Sequence, residues 1–244
     1  MTCFIIKITT MSIEAKPRKI IEKPRISVNK LAEYLEAHAD RRKKIVQDAK
    51  YPAGYITARY KDAREAIKDY IRGVSDEDAI LSRIDEFESA IPDSDWQEND
   101  NASSAEALKF LLDTDISCWE EFEIEPFEGE NTLIEISGVG ISVHPDLVVR
   151  MTDGASALVG LIKLHLAKNN ELSEESQKIV AILLYQFAGQ FIADETDGEI
   201  ATPKCCISFD VFRRRSEYCP TAVKMRVRKI ETACEEIALW WGKL

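Results

Sequence analysis

Asp146 and Lys163 are the residues of this chain whose types and spacing best suit chemistry. They stand seventeen positions apart within residues 133–167, LIEISGVGISVHPDLVVRMTDGASALVGLIKLHLA, where most neighbours are apolar. A carboxylate is a natural ligand for a hard divalent cation. A lysine among Leu, Ile and Leu must snorkel to an edge or pair with an acid. Alternation along a strand puts residues 161, 163 and 165 on one face. One carboxylate alone makes a poor Mg²⁺ site, because that ion gives up its water reluctantly.

Each candidate also has a plainer role. Asp146, after Pro145, can start a strand and accept backbone hydrogen bonds. It can equally form an ion pair with Lys163. Glu106 completes a capping box with Ser103, Ser at the N-cap and Glu three residues on. His144 and His165 lack a third ligand at useful spacing and read as ordinary polar contacts. Arg41, Arg42, Lys43 and Lys44 offer a basic helix face to phosphate, on the second helix of a possible helix-turn-helix, or else a solvated surface. Arg213, Arg214 and Arg215 form a basic hairpin turn with the same two readings.

The elements that must position these residues fall into regions. Residues 1–25 carry Pro17 and Pro24 without periodicity and are read as a flexible arm, with Met11 as a second candidate start. Residues 26–100 are read as all-helical. Ser27 caps a helix with Val28, Leu31, Ala32 and Leu35 at helical spacing. Asp40 is the expected cap of a second helix over 41–50, which stops before Pro52. A third helix is expected over 58–72, ending at Gly73, and a fourth over 76–90 with Ile80, Leu81, Ile84 and Phe87 on one side. Residues 92–104 are polar and acidic and are expected to form a loop.

Residues 101–244 are expected to form an α/β (α+β) domain, a mixed β-sheet flanked by helices. A helix opens at Ser103. Strands follow around Phe122 and Ile124, over 133–136, over 147–149 and over 158–166, with turns at Gly138 and at Thr152-Asp153-Gly154. Ser173 caps a helix, IVAILLYQFAGQFI, that is apolar on nearly every side and therefore belongs at the centre of a layered domain. A strand over 205–212, its return over 216–219 and a helix capped by Thr221 complete the chain.

At 244 residues and 45% hydrophobic composition, the chain can bury a substantial core. No apolar run approaches the roughly 20 residues of a membrane span. The net charge is −11, split into +6 over residues 16–50, −16 over 51–140 and +4 over 204–244. The summed field repels nucleic acid, while the two basic regions leave local phosphate contacts open. The cysteines at 3, 118, 205, 206, 219 and 234 form no CxxC pair and read as thiols of a reducing compartment, with cytoplasm the expected location.

From Ser103 onward the element order, with His144-Pro145-Asp146 and Gly160-Leu161-Ile162-Lys163, resembles the PD-(D/E)XK nuclease superfamily. The resemblance implies a nuclease-like sheet in which Asp146 is the first metal-binding acid. Lys163 is then the lysine that orients the attacking water, and Glu106 the helix glutamate. It implies Mg²⁺ as cofactor if the site is active. The resemblance implies a second metal-binding acid two residues before the lysine, and position 161 is Leu; Glu135 and Asp210 are the acids that could replace it. The expectation is therefore a degenerate, non-catalytic member that serves as a binding or structural component. The resemblance also suggests a mobile-element or defence setting. An active Mg²⁺ nuclease with a relocated carboxylate, and a nucleic-acid-binding regulator acting through the basic N-terminal helices, remain as alternatives. The expected partner is an unidentified protein or a second copy.

Overall fold

The computed structural model describes residues 20–52, 59–169, 171–194 and 198–244. The expected arm therefore lies mostly outside the described residues, as does the start of the third expected helix at Ala58. The protein is a mixed α/β fold built around a sheet with helices on both faces. In chain order the strands are β1 Arg25–Ser27, β2 Glu123–Pro126, β3 Leu133–Ile136, β4 Val139–Ser142, β5 Leu147–Asp153, β6 Ser156–His165, β7 Glu199–Ala201, β8 Ile207–Asp210 and β9 Arg215–Tyr218. The helices are α1 Val28–Glu36, α2 Ala39–Lys50, α3 Lys61–Ile71, α4 Glu77–Ser89, α5 Asp95–Leu112, α6 Glu174–Phe191 and α7 Lys224–Trp241.

The main sheet runs β2-β5-β6-β8-β9, with β7 also paired to β6. β5 and β6 form an antiparallel hairpin closed at Gly154, whose φ of 63° favours glycine. α6 then carries the chain from β6 back to β8, which runs parallel to β6. A small second sheet, β1-β4-β3, places β1 parallel to β4, so the last residues of the expected arm are structured.

Alternation along β6 divides the interior into two cores. Val159 and Leu161 face α6, with α1, α2 and α7 around it and the small sheet alongside. Ile162 and Leu164 face the other way, toward α3, α4 and α5. Helices before residue 100 thus contribute to both cores, and the expected division near that position marks no break in packing. α6 is central, as its sequence implies: Ile179, Val180, Ala181, Ile182, Leu183 and Leu184 are all buried.

Several expected boundaries move. α5 starts at Asp95, not at Ser103, so the stretch expected as a loop is largely helix. The Ser94 side chain accepts from the Gln97 amide, and the Gln97 side chain accepts from the Asp93 amide, which closes the helix start reciprocally. Ser103 and Glu106 are therefore interior to α5, and the expected capping box does not form there. His38, not Asp40, is the N-cap of α2, with Asp40 in the first turn. α7 starts after Val223 without a side-chain cap, so Thr221 does not serve as one. Ser27, Asp76 and Ser173 cap α1, α4 and α6 through their side chains.

β7 and β8 pair with successive stretches of the same edge of β6, and the chain between them makes a short turn at Pro203–Cys205 that lies against Gly160. A Cβ at Gly160 would stand 2.3 Å from the Cys205 carbonyl oxygen. Backbone cannot withdraw as a side-chain end can. Gly160→Ala is expected to cost about 3 kcal/mol, read as a lower urea midpoint; an unchanged midpoint would show that the turn is free to move.

Candidate functional site

The β5–β6 hairpin brings Asp146 and Lys163 together as the spacing suggests. Leu147 pairs with Ile162, so Asp146 and Lys163 are the next positions along, just beyond the start of β5. The turn leading there is unusual. His144 has a φ of 44°, and Pro145 has no amide proton, so the approaching chain cannot continue a regular ladder. The Asp146 amide still donates to the Ile162 carbonyl (2.9 Å).

Beyond that point β6 continues without a partner strand on this side, and side chains take over. Asp146 Oδ2 accepts from the Leu164 amide at 2.8 Å. Asp146 Oδ1 accepts from Arg64 Nη1 at 2.6 Å, and the same Nη1 donates to the Leu164 carbonyl at 3.3 Å. Carboxylate and guanidinium together satisfy both backbone groups of Leu164. Asp146 is almost wholly buried, while the Arg64 side chain from α3 keeps 31% of its surface in contact with solvent. The expected role of Asp146 as an acceptor of backbone hydrogen bonds is thus realised. Its ion pair is formed with Arg64, whereas Lys163 Nζ donates to the His144 carbonyl at 2.7 Å.

Electrostatics follow from this arrangement. Withdrawal from water pushes the Lys163 ammonium down to about 8; Asp146 opposes that shift and Arg64 adds to it. Burial also lowers His144, reinforced by the nearby Lys163 and Arg25 charges and opposed by Asp146.

Leu161, where a second acid would sit, is fully buried in the core beneath α6. Glu106 pairs with Lys168 (2.5 Å). Glu135 lies on β3, in the other sheet, and is exposed. Asp210 lies on β8 opposite His165, while the β8 position opposite Lys163 is Ser208. Burial raises the Asp210 carboxyl despite the opposing charge of His165, and its Oδ1 accepts from the Arg213 amide. His165 Nδ1 lies 3.1 Å from Asn29 Nδ2. Among the described residues no three His, Cys, Asp or Glu side chains converge as a metal site.

The residues of the two basic sets have partners within the chain. Arg41 donates to Glu33, Arg42 donates to the Tyr34 and Leu35 carbonyls at the end of α1, Lys43 lies over the Trp240 ring, and Lys44 pairs with Asp48. α2 buries Ile45 and Val46 in the core it shares with α7. At the β8–β9 turn Arg213 pairs with Glu171 and Arg214 with Asp113 (3.6 Å), and Arg215 donates to the Leu172 carbonyl (2.8 Å). Cys205, Cys206, Cys219 and Cys234 are free and buried, and burial raises all four thiols.

Arg64 is the member of the constellation that reading the sequence missed. It sits beside the apolar stripe of α3, 82 positions from its carboxylate, and nothing local marks it as a partner. Comparison with models of known protein families and with curated proteins finds no match to this chain.

Removing Arg64 would leave a buried carboxylate without its cation. Arg64→Ala is expected to cost about 2 kcal/mol, between the values for exposed and buried pairs. Adding Asp146→Ala should cost less than the sum of the two single changes. Strict additivity in urea melts would show that the two side chains are not coupled.

Lys163 generates a pH signature. Its folded value of about 8 lies below the ordinary lysine value, so the unfolded chain binds more protons in that window. The cost of the partly desolvated ammonium is full below about 8, and stability rises with pH from there to roughly 10.4. Relative to the wild type, Lys163→Met should lose that rise in the urea midpoint. Parallel curves for the two proteins would exclude the assignment.

Proposed function

We propose that this chain is a PD-(D/E)XK-like protein in which hydrolysis has been lost and the fold serves as a binding or structural component. The reading is carried by one observation: Asp146 and Lys163 meet at the end of the β5–β6 hairpin, but both Asp146 oxygens are occupied by Arg64 and the Leu164 amide. Leu161 supplies no oxygen ligand beside them. The order α5, β5–β6 hairpin, α6 and parallel β8 supports the kinship.

A hydrolytic site of this class needs carboxylate oxygens that can share a divalent ion, which then stabilises charge on the phosphate. Here a guanidinium supplies the positive charge beside Asp146, and it does so with fixed hydrogen bonds in place of exchangeable ligand positions. An active Mg²⁺ enzyme would require Asp146 to release Arg64 and a second acid to reach it. The partner of the inactive fold would be another protein or a second copy.

Incubation of supercoiled plasmid with the purified chain and Mg²⁺ or Mn²⁺ should yield no nicking. Nicking that disappears in both Asp146→Ala and Lys163→Ala would overturn the proposal. The kinship itself is tested by Leu161→Glu with Arg64→Ala, which restores the acid and frees Asp146: Mn²⁺ should raise the melting temperature of that double variant and leave the wild type unchanged. An identical response of both proteins would count against common descent of the site.

A further inference from the structure

A cavity of about 440 Å³ opens where the start of α1, α2, β1 and β4 meet. Its polar side is cationic: Arg25, Lys30 and Arg41 line it with the hydroxyls of Ser27 and Ser142. Among the described residues Arg25 donates only to a neutral group there, Ser142 Oγ at 3.3 Å. Glu33 bridges Lys30 (2.6 Å) and Arg41 (2.7 Å), which holds both cations in place while each keeps unused donors. Among the described residues Asp48 is the single acid of the lining, and it is already paired with Lys44. Ser27, the N-cap of α1, lines the same space, and no acid stands in that helix's first turn.

The opposite side is aliphatic, formed by Ile21, Ile26 and Ile45 with Ala49 and Pro52. Among the described residues no aromatic ring lines it, so they offer a nucleobase no stacking surface. Residues 1–19 carry Lys7, Lys16, Arg18 and Lys19 against Glu14, the same sign as the cavity, so charge does not favour them as its occupant. A volume of several hundred Å³ with few convergent polar groups on apolar walls suits a small molecule.

From these features we infer that this cavity binds a medium-chain aliphatic anion, its phosphate or carboxylate head on Arg25, Lys30 and Arg41 and its tail on the isoleucines. The lining includes neither Asp146 nor Lys163, so the inference goes beyond the proposed loss of hydrolysis and stands or falls without it.

The test is calorimetric titration of the full chain in phosphate-free buffer with octyl phosphate and with octanoate, below micelle formation. Octanol, inorganic phosphate and AMP serve as comparators. One of the two amphiphiles should saturate a single site at least tenfold more tightly than every comparator, and the tighter head identifies the source. Arg25→Ala and Lys30→Ala, both at partly exposed side chains, should each weaken that binding on the order of tenfold, the size of one charge-assisted hydrogen bond. Arg25→Lys should recover part of the loss. The inference is overturned if octanol, phosphate or AMP binds as tightly as the amphiphiles. It is likewise overturned if neither amphiphile binds, or if affinity persists in both alanine variants with wild-type melting.

Discussion

The constraint on which this structure turns is the end of β6. That strand runs past the start of β5, so the backbone of Leu164 has no ladder partner on that side. A buried amide or carbonyl left unpaired costs about 1–3 kcal/mol. The Asp146 carboxylate takes the amide, and Arg64 takes both the carboxylate and the carbonyl. This single triangle joins α3 to the hairpin and gives each Asp146 oxygen a hydrogen-bond donor.

Around that point, packing is organised by β6, which lies between β5 on one edge and β7 and β8 on the other. Its side chains point alternately into two cores, so the strand is buried on both faces and reads as a nearly continuous apolar run. α6 fills the space on one side, which explains why its sequence shows no polar face. Gly160 lets the Pro203–Cys205 turn lie close against the strand. The lysine within this run is tolerated because its ammonium reaches the His144 carbonyl at the strand end.

Charge is segregated along the chain but largely compensated in space. Arg42 approaches Glu236 on α7, Arg150 bridges Glu125 and Glu199, and Arg226 holds Glu175 at the start of α6. Each such partly exposed pair contributes little by itself, typically below ~1 kcal/mol. Their combined effect is on availability: cations that look free in the sequence already have partners. The cavity at α1 is different, since its cations outnumber the acids within reach.

The sequence alone determined whatever depends on periodicity and local capping. The alternation through 133–167, the all-round apolar α6, and the Ser27, Asp76 and Ser173 caps were legible because each is encoded within a few neighbouring positions. The proximity of Asp146 and Lys163 was legible for a similar reason: one hairpin turn at Gly154 sets the register between them. The start of α5 was misread although its signal, Ser94 with Gln97, was present; a more familiar Ser–Glu pair nine residues on competed with it. Tertiary structure decided the rest. Which acid pairs with which base, whether the N-terminal helices stand apart, and where three cations gather around an open cavity all depend on contacts between distant positions. Side-chain type and spacing carry no information about such contacts until the sheet has brought the segments together.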